Sequence, residues 1–378
     1  MYLCPFKGIK ATMNTLSKST HYKALTGIRA IAAIMIFVYH NRKYWKNDLH
    51  PELFRFCNEF NLGVPLFFVL SGFLIAKNYG MQPAASFSNY TAYLLQRVVR
   101  ILPLYWLLLT LYYLDAHFGK HQFSLQHYFL LQGFSSKHSL DAIAQSWSLT
   151  VEMTFYAVAP LLMLMLHKKI IYFIGLLIFI LLISFFVGEY WLYCNGNPNS
   201  YLYPFEFILM GTFAGQSLFF AAGIVLAEYP TIWQKLPFQK HLTTIGALGF
   251  LITLYAIGLF QESRIDHGTN HWQGKILFFF ILPLFIIILF QGLMTQNSYL
   301  QKMLSSKFMV LLGNASFAFY LVHISYVNLK IKSFVFFDDR NFLLLWVVSI
   351  LLYYLFEKPI YDFYRKFLVK FPYYLIKK

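Results

Sequence analysis

Five polar residues stand out in a chain that is otherwise apolar: Arg29, His40, Arg97, Arg100 and Glu152. Arg29 and His40 share the stretch LTGIRAIAAIMIFVYHNRKYW. Eleven helical residues make three turns plus about 20°, so the two share a helix face, about 16.5 Å apart along the axis. Such groups on a lipid-spanning helix are costly unless they face an interior cavity. Imidazole titrates near neutral pH, which suits His40 to act as a base. Glu152 lies in QSWSLTVEMTFYAVAPLL, where Ser148, Glu152 and Tyr156 follow i, i+4, i+8 spacing and form a polar stripe. Glu152 is expected at a depth similar to His40, which suggests an acid/base pair, with a structural ion pair as the plainer alternative. Arg97 and Arg100, in RVVRILPLYW, stand three apart on one face. They read either as positive-inside anchors or as a planar fork for phosphates, and the spacing alone leaves both open. Pro103 predicts a kink or a helix start beside them.

Three further motifs carry weaker signals. Ser71-Gly72 interrupts the apolar run GVPLFFVLSGFLIAK, either for close helix packing or to line a channel. The run LLGNASFAFYLVHISYV holds Asn314, Ser316, Tyr320 and His323, and an interhelical hydrogen bond is the default role for such a histidine. Glu357, in FEKP, reads as a partner for a loop arginine.

The elements that must position these residues are membrane helices. The chain has 378 residues, 58% hydrophobic and 12% charged, with a net charge of +16. Soluble domains carry about 25% charged residues. The expected fold class is all-α: a polytopic membrane protein of about ten helices around a polar cavity. Apolar runs long enough to span fall near 24–42, 61–80, 98–115, 148–167, 170–190, 207–227, 243–261, 275–294, 308–329 and 341–357. The sixth contains Glu206, Gly211, Gly215 and Gly223, which predict a break or a re-entrant start.

Residues 1–23 form a basic lead without the apolar core of a cleavable signal, and Met13 is a candidate start. Residues 24–363 form the membrane domain and 364–378 a basic tail. Lys and Arg sit mostly in short connections and the tail, which argues for positive-inside topology and anionic lipid rather than nucleic acid. Their excess on one side places both termini in the cytoplasm, as expected of a multi-pass protein of the cytoplasmic membrane. No two of Cys4, Cys57 and Cys194 have metal-ligand spacing, so no metal is expected, although Cys57 and Cys194 could pair. His117, His121, His127 and His138 fall in one polar loop, read as solvated rather than metal-binding.

Taken together, these motifs resemble acyltransferase family 3 of multi-spanning membrane proteins. The resemblance runs from about Thr26 to Pro359, with Arg29 and His40, PLFFVLSGFLIAK, Arg97 and Arg100 before ILPLYW, SWSLTVEMTFYAVAPLL, SFAFYLVH and FEKP in the family's order. It implies transfer of an acyl group, usually acetyl, from cytoplasmic acyl-CoA to a hydroxyl of a cell-surface polysaccharide or related glycan. It maps functional roles onto Arg29, His40, Arg97, Arg100 and Glu152. In that reading His40 is the base, Glu152 orients it, Arg97 and Arg100 hold the phosphates of acyl-CoA, and Arg29 guides the donor arm. The sequence departs from the family at Met153, where a second carboxylate is frequent, which puts a carboxylate dyad in doubt. With no hydrolase-type domain after the last span, transfer is expected to finish in the membrane domain or to pass to a separate protein. The competing reading is a transporter or flippase for an acyl or glycan carrier, since buried Arg, His and Glu also serve proton-coupled transport.

Overall fold

The computed structural model describes residues 22–42, 49–80, 86–114, 123–187, 205–230, 238–263, 266–334 and 338–370. Met13, Cys4, Cys194, His117, His121 and the end of the tail lie outside them. Among the described residues the chain is all helix and turn. The main helices are α1 (Lys23–Asn41), α2 (Pro51–Asn58), α3 (Val64–Tyr79), α4 (Phe87–Leu114), α5 (Ser146–Lys168) and α6 (Ile170–Phe185). They continue with α7 (Phe205–Gly211), α8 (Phe213–Glu228), α9 (Leu242–Gly258), α10 (Trp272–Thr295) and α11 (Lys307–Val322). The last three are α12 (Tyr326–Phe334), α13 (Asp338–Leu352) and α14 (Lys358–Lys370).

Every expected apolar run coincides with a helix. Among the described residues, eight segments are long and apolar enough to cross a membrane, and the shorter α6 and α11 are apolar helices of the same bundle. The protein is an all-α, polytopic membrane protein. The side where α1 begins is called the proximal pole below, and the side where it ends the distal pole.

Two boundaries differ from expectation in ways that bear on the site. The helix of the third run begins at Phe87, not near residue 98, and passes unbroken through Pro103. Its first turns are polar, with Ser88, Asn89, Thr91 and Gln96, so a hydropathy scan stops short of them. Arg97 thus lies about 15 Å inside the helix rather than at its mouth. The final run extends through a π-helical turn, Tyr353–Glu357, into α14, which carries helix past the expected start of the tail.

The sixth run is broken, as its glycines suggest. Thr212 is extended (φ −120°, ψ 162°) between α7 and α8. The break frees backbone carbonyls that would be costly in lipid. Gln216 Nε2 donates to Leu209 O and Met210 O, both at 3.1 Å, and Thr212 Oγ1 donates to Ile208 O at 2.7 Å.

Small residues set the closest helix approaches, as is common where packing rather than water drives association. A Cβ on Gly72 would stand 2.1 Å from Phe220 O, and one on Gly223 would stand 2.0 Å from Val69 O, so α3 and α8 touch backbone to backbone. Likewise Gly313 of α11 lies against α1, where a Cβ would meet Thr26 O at 1.9 Å. Next to the α3–α8 contact, Phe220 stacks between Phe68 and Phe155, with ring centroids 4.7 and 4.1 Å away. This aromatic column packs α5 against the same pair and fixes the turn that carries Glu152. The segment before α5 is tied back as well: Tyr105 Oη donates to His127 O at 2.6 Å, and Thr150 Oγ1 to Leu130 O at 2.7 Å.

Candidate active site

The site is built from α1, α3, α4, α5 and α11. Between them lies a cavity of about 80 Å³. Its polar lining comprises Arg29, Ser71, Arg97, Arg100, Glu152 and Tyr156, with Ser148 and Tyr320 beside them. Four of the five residues singled out in the sequence therefore meet in one space. His40 is not part of that lining.

Position along each helix orders the groups by depth. Tyr79 ends α3 at the proximal pole, and Arg29 stands early in α1 on the same side. Ser71, Glu152 and Tyr156 stand deeper. Ser148 and Tyr320, near the distal ends of α5 and α11, are hydrogen-bonded at 2.7 Å.

Arg97 is buried, with 7% of its surface exposed, which excludes the reading of it as a snorkelling anchor. Its guanidinium lies over the rings of Tyr79, 4.8 Å from the centroid, and Tyr156, at 5.6 Å. Nη2 donates to Tyr79 Oη, while Nε is buried and takes no hydrogen-bond partner among the described residues. A buried N–H without an acceptor is costly and marks a place where a ligand oxygen fits. None of Arg29, Arg97 and Arg100 forms an ion pair among the described residues. Glu357 lies within electrostatic reach of Arg100 and Arg29. Its expected pairing with a loop arginine is thus replaced by proximity to two arginines of the spans. One Glu357 oxygen is buried without a hydrogen-bond partner among the described residues.

Glu152 accepts hydrogen bonds on Oε1 from Ser71 Oγ at 2.6 Å and from Tyr156 Oη. Ser71 thereby lines the cavity while its neighbour Gly72 makes the helix contact, so both readings of that dipeptide hold. The polar stripe on α5 also survives, with Tyr156 capping the carboxylate from the next turn.

The expected pairing of His40 with Glu152 is not what the chain forms. His40 Nδ1 lies 2.9 Å from Ile36 O and 3.2 Å from Nε2 of His323. The two imidazole rings are 5.0 Å apart, centroid to centroid. The physical reason is helical position. His40 is the penultimate residue of α1 and His323 directly follows α11, so the tight α1–α11 contact brings these two ends together. Glu152 instead projects lower, toward α3.

Beyond His40 the distal pole carries a polar knot that sequence reading missed. Glu59 is fully buried; its Oε1 accepts from Gln261 Nε2 at 2.6 Å and from Gly268 N at 2.7 Å. Its Oε2 is buried and has no hydrogen-bond partner among the described residues. Burial pushes the Glu59 carboxyl up, against the opposing pull of those two donors. Asn58 donates to Asp266 O at 2.6 Å and accepts from Arg42 Nε at 2.5 Å. Burial opposes ionisation of Asp266. Donors from Glu262 N, His271 and Asn270 outweigh it and hold the carboxyl well below the usual range. His267 Nε2 stands 3.2 Å from Tyr39 Oη, and Tyr39 lies edge-on to His40 at 4.8 Å. Burial, with Arg42 adding to it, holds His267 below the ordinary imidazole value. The signal available for this knot was the acid in NEFNLG directly before an apolar run. The histidines of the 123–145 segment have local partners: His127 takes Tyr113 Oη, and His138 pairs with Asp141 at 2.8 Å.

Comparison with known proteins places this arrangement. The profile of the acyltransferase 3 family, described as an acyltransferase domain, matches residues 22–369. Proteins of Staphylococcus aureus strains COL and MSSA476, provisionally named O-acetyltransferases, are each 25% identical over 373 residues. The match covers 86% of this chain and 56% of theirs, so the chain spans about half the length of those curated relatives. A protein of Acidianus two-tailed virus, provisionally named an acetyltransferase, is 25% identical over 327 residues, covering 84% of this chain and 87% of the viral one. No solved structure matches the chain at a significant level. An all-α membrane bundle with Arg29, Arg97, Arg100 and Glu152 around one cavity, matched over nearly its whole length by that profile, this chain belongs to the acyltransferase 3 family.

Proposed function

We propose that the protein is a membrane O-acyltransferase that moves an acyl group, acetyl in the simplest case, from acyl-CoA to a hydroxyl of a glycan at the opposite membrane face. The observation that carries this reading is the cavity itself. It holds three guanidiniums that form no ion pair among the described residues, one of them buried with an unpartnered N–H, and the ring of its distal lining residue Tyr320 lies 5.7 Å from that of His323. Arginines are well matched to phosphate oxygens. A thioester is already activated, so a base for the acceptor hydroxyl and a site that holds both reactants suffice.

The chain's residues divide the work by depth. Arg97 and Arg100 bind the phosphates of the donor at the proximal pole, which on this reading faces the cytoplasm along with both termini. Arg29 lies along the path of the acyl arm. His40 takes the proton of the acceptor hydroxyl as that oxygen bonds to the acyl carbon and the sulfur leaves. Glu152, held by Ser71 and Tyr156, lines the path rather than orienting His40.

Purified protein in detergent, given labelled acetyl-CoA and glycan acceptors, should form acetylated product without any membrane gradient, and His40→Ala should abolish it. Gradient-dependent movement of a carrier with no covalent product would replace this reading with transport. The acceptor class is read by comparing surface glycans with and without the gene for the mass of one acetyl group.

A further inference from the structure

The histidine pair at the distal pole has a defined protonation pattern. A carbonyl oxygen can only accept, so each imidazole nitrogen that meets one must carry a hydrogen. His323 Nδ1 lies 2.7 Å from Tyr320 O and is therefore N–H. In the neutral ring, His323 Nε2 then holds a lone pair. His40 Nδ1 lies 2.9 Å from Ile36 O and is also N–H. That hydrogen is shared with His323 Nε2 at 3.2 Å, a three-centre arrangement common near helix ends. The lone pair of His40 is consequently on Nε2, which has no hydrogen-bond partner among the described residues.

His323 is itself rigidly placed. It is buried, with 1% of its surface exposed. Its ring lies nearly parallel to Phe319, 5° between planes, and Phe319 stacks on Trp346 at 4.0 Å. Asn328 donates to its carbonyl, and Asn341 in turn donates to Asn328 at 2.9 Å. Such bracing exceeds what a passive interhelical hydrogen bond requires, and it aims one lone pair at one hydrogen.

We propose that His323 is the positioning residue for His40, filling the place that a carboxylate takes in a hydrolase triad. The proposal rests on His40 being the base. In the reaction the acceptor O–H proton passes to His40 Nε2 while the acceptor oxygen bonds to the acyl carbon. The C–S bond then breaks, and the thiolate takes that proton back from His40 Nε2. Between these events His40 is an imidazolium, and its Nδ1–H donates a charge-assisted hydrogen bond to His323 Nε2. His323 stays neutral, keeps its own proton on Nδ1 and never touches substrate. It holds the tautomer that leaves Nε2 free and stabilises the transient cation.

The test compares His40→Ala, His323→Leu and His323→Gln in the detergent assay, with donor binding followed by the thermal shift that acetyl-CoA produces. His323→Leu should lower kcat on the order of a hundredfold with donor KM within about twofold, because the interaction matters when charge develops. His323→Gln offers an amide oxygen as acceptor and should restore most of that loss. Should the leucine variant fold poorly, the glutamine variant decides alone: near-normal kcat supports the assignment. A kcat as low as that of His40→Ala, with an intact acetyl-CoA shift, overturns it. Full activity of His323→Leu, or a loss confined to donor KM, also overturns it while leaving His40 as the base. Activity in His40→Ala would instead remove the reading on which the proposal stands.

Discussion

Ser71 and Glu152 meet across the α3–α5 boundary, with Ser71 Oγ donating to Glu152 Oε1 at 2.6 Å. One residue further, Gly72 has no room for a Cβ, because Phe220 O would be 2.1 Å away. Adjacent positions thus serve the cavity and the packing separately. Without the Ser71 hydroxyl, Glu152 Oε1 still accepts from Tyr156 Oη. Ser71→Ala should therefore keep a melting temperature near the parent's, while the shifted carboxylate lowers turnover on the order of tenfold. Gly72→Ala forces α3 and α8 apart and should cost about 1–3 kcal/mol of stability, as overpacking does. Detergent melting curves beside acetyl-transfer rates separate the two; equal loss of stability in both would refute the division.

Arg97 acts through its plane as well as its charge, since its guanidinium lies over Tyr79 and Tyr156. Lysine keeps the charge but offers neither the flat face nor the fork. Arg97→Lys should accordingly raise the KM for acyl-CoA on the order of tenfold and leave the acceptor KM unchanged. Tyr79→Phe, which removes the hydroxyl that Arg97 donates to, should shift donor KM the same way by less. Steady-state kinetics with each substrate varied in turn make the comparison. Equal shifts for donor and acceptor would show that Arg97 only supports the fold.

Much of this architecture was legible because membrane helices announce themselves by length and hydropathy, independent of their neighbours. The break before α8 was legible too, through the clustering of Gly211, Gly215 and Gly223. The convergence of Arg29, Arg97, Arg100 and Glu152 on a cavity followed from the cost of polar groups in lipid. That cost says a partner must exist without saying which. Depth alone made Glu152 a candidate for His40, whereas the α1–α11 contact at Gly313 awards His40 to His323. The start of α4 at Phe87 was hidden because its polar turns break the apolar window. For the knot, the sequence offers the acid Glu59 but not its partners, because Gln261 and Gly268 stand some 200 residues away and follow no period.

That knot makes its own prediction about pH. Burial raises the Glu59 carboxyl in the folded protein above its unfolded value. A group raised in this way favours folding when protonated, and that contribution is lost as pH climbs past the unfolded value toward the folded one. At higher pH the protein must bury a carboxylate whose Oε2 has no hydrogen-bond donor among the described residues. Glu59→Gln keeps an oxygen for Gln261 and Gly268 and removes the charge. The variant's melting temperature should therefore rise relative to the parent's as pH increases, then hold a constant lead once Glu59 is fully ionised. Melting curves from mildly acidic to mildly alkaline buffer test this directly. A difference that does not change with pH, or that shrinks as pH rises, would mean that the Glu59 carboxyl is not raised by burial. His267 and Tyr39 connect this knot to His40. A transfer rate in Glu59→Gln that matches the parent's at each pH would further show that the knot supports the distal pole without entering the chemistry.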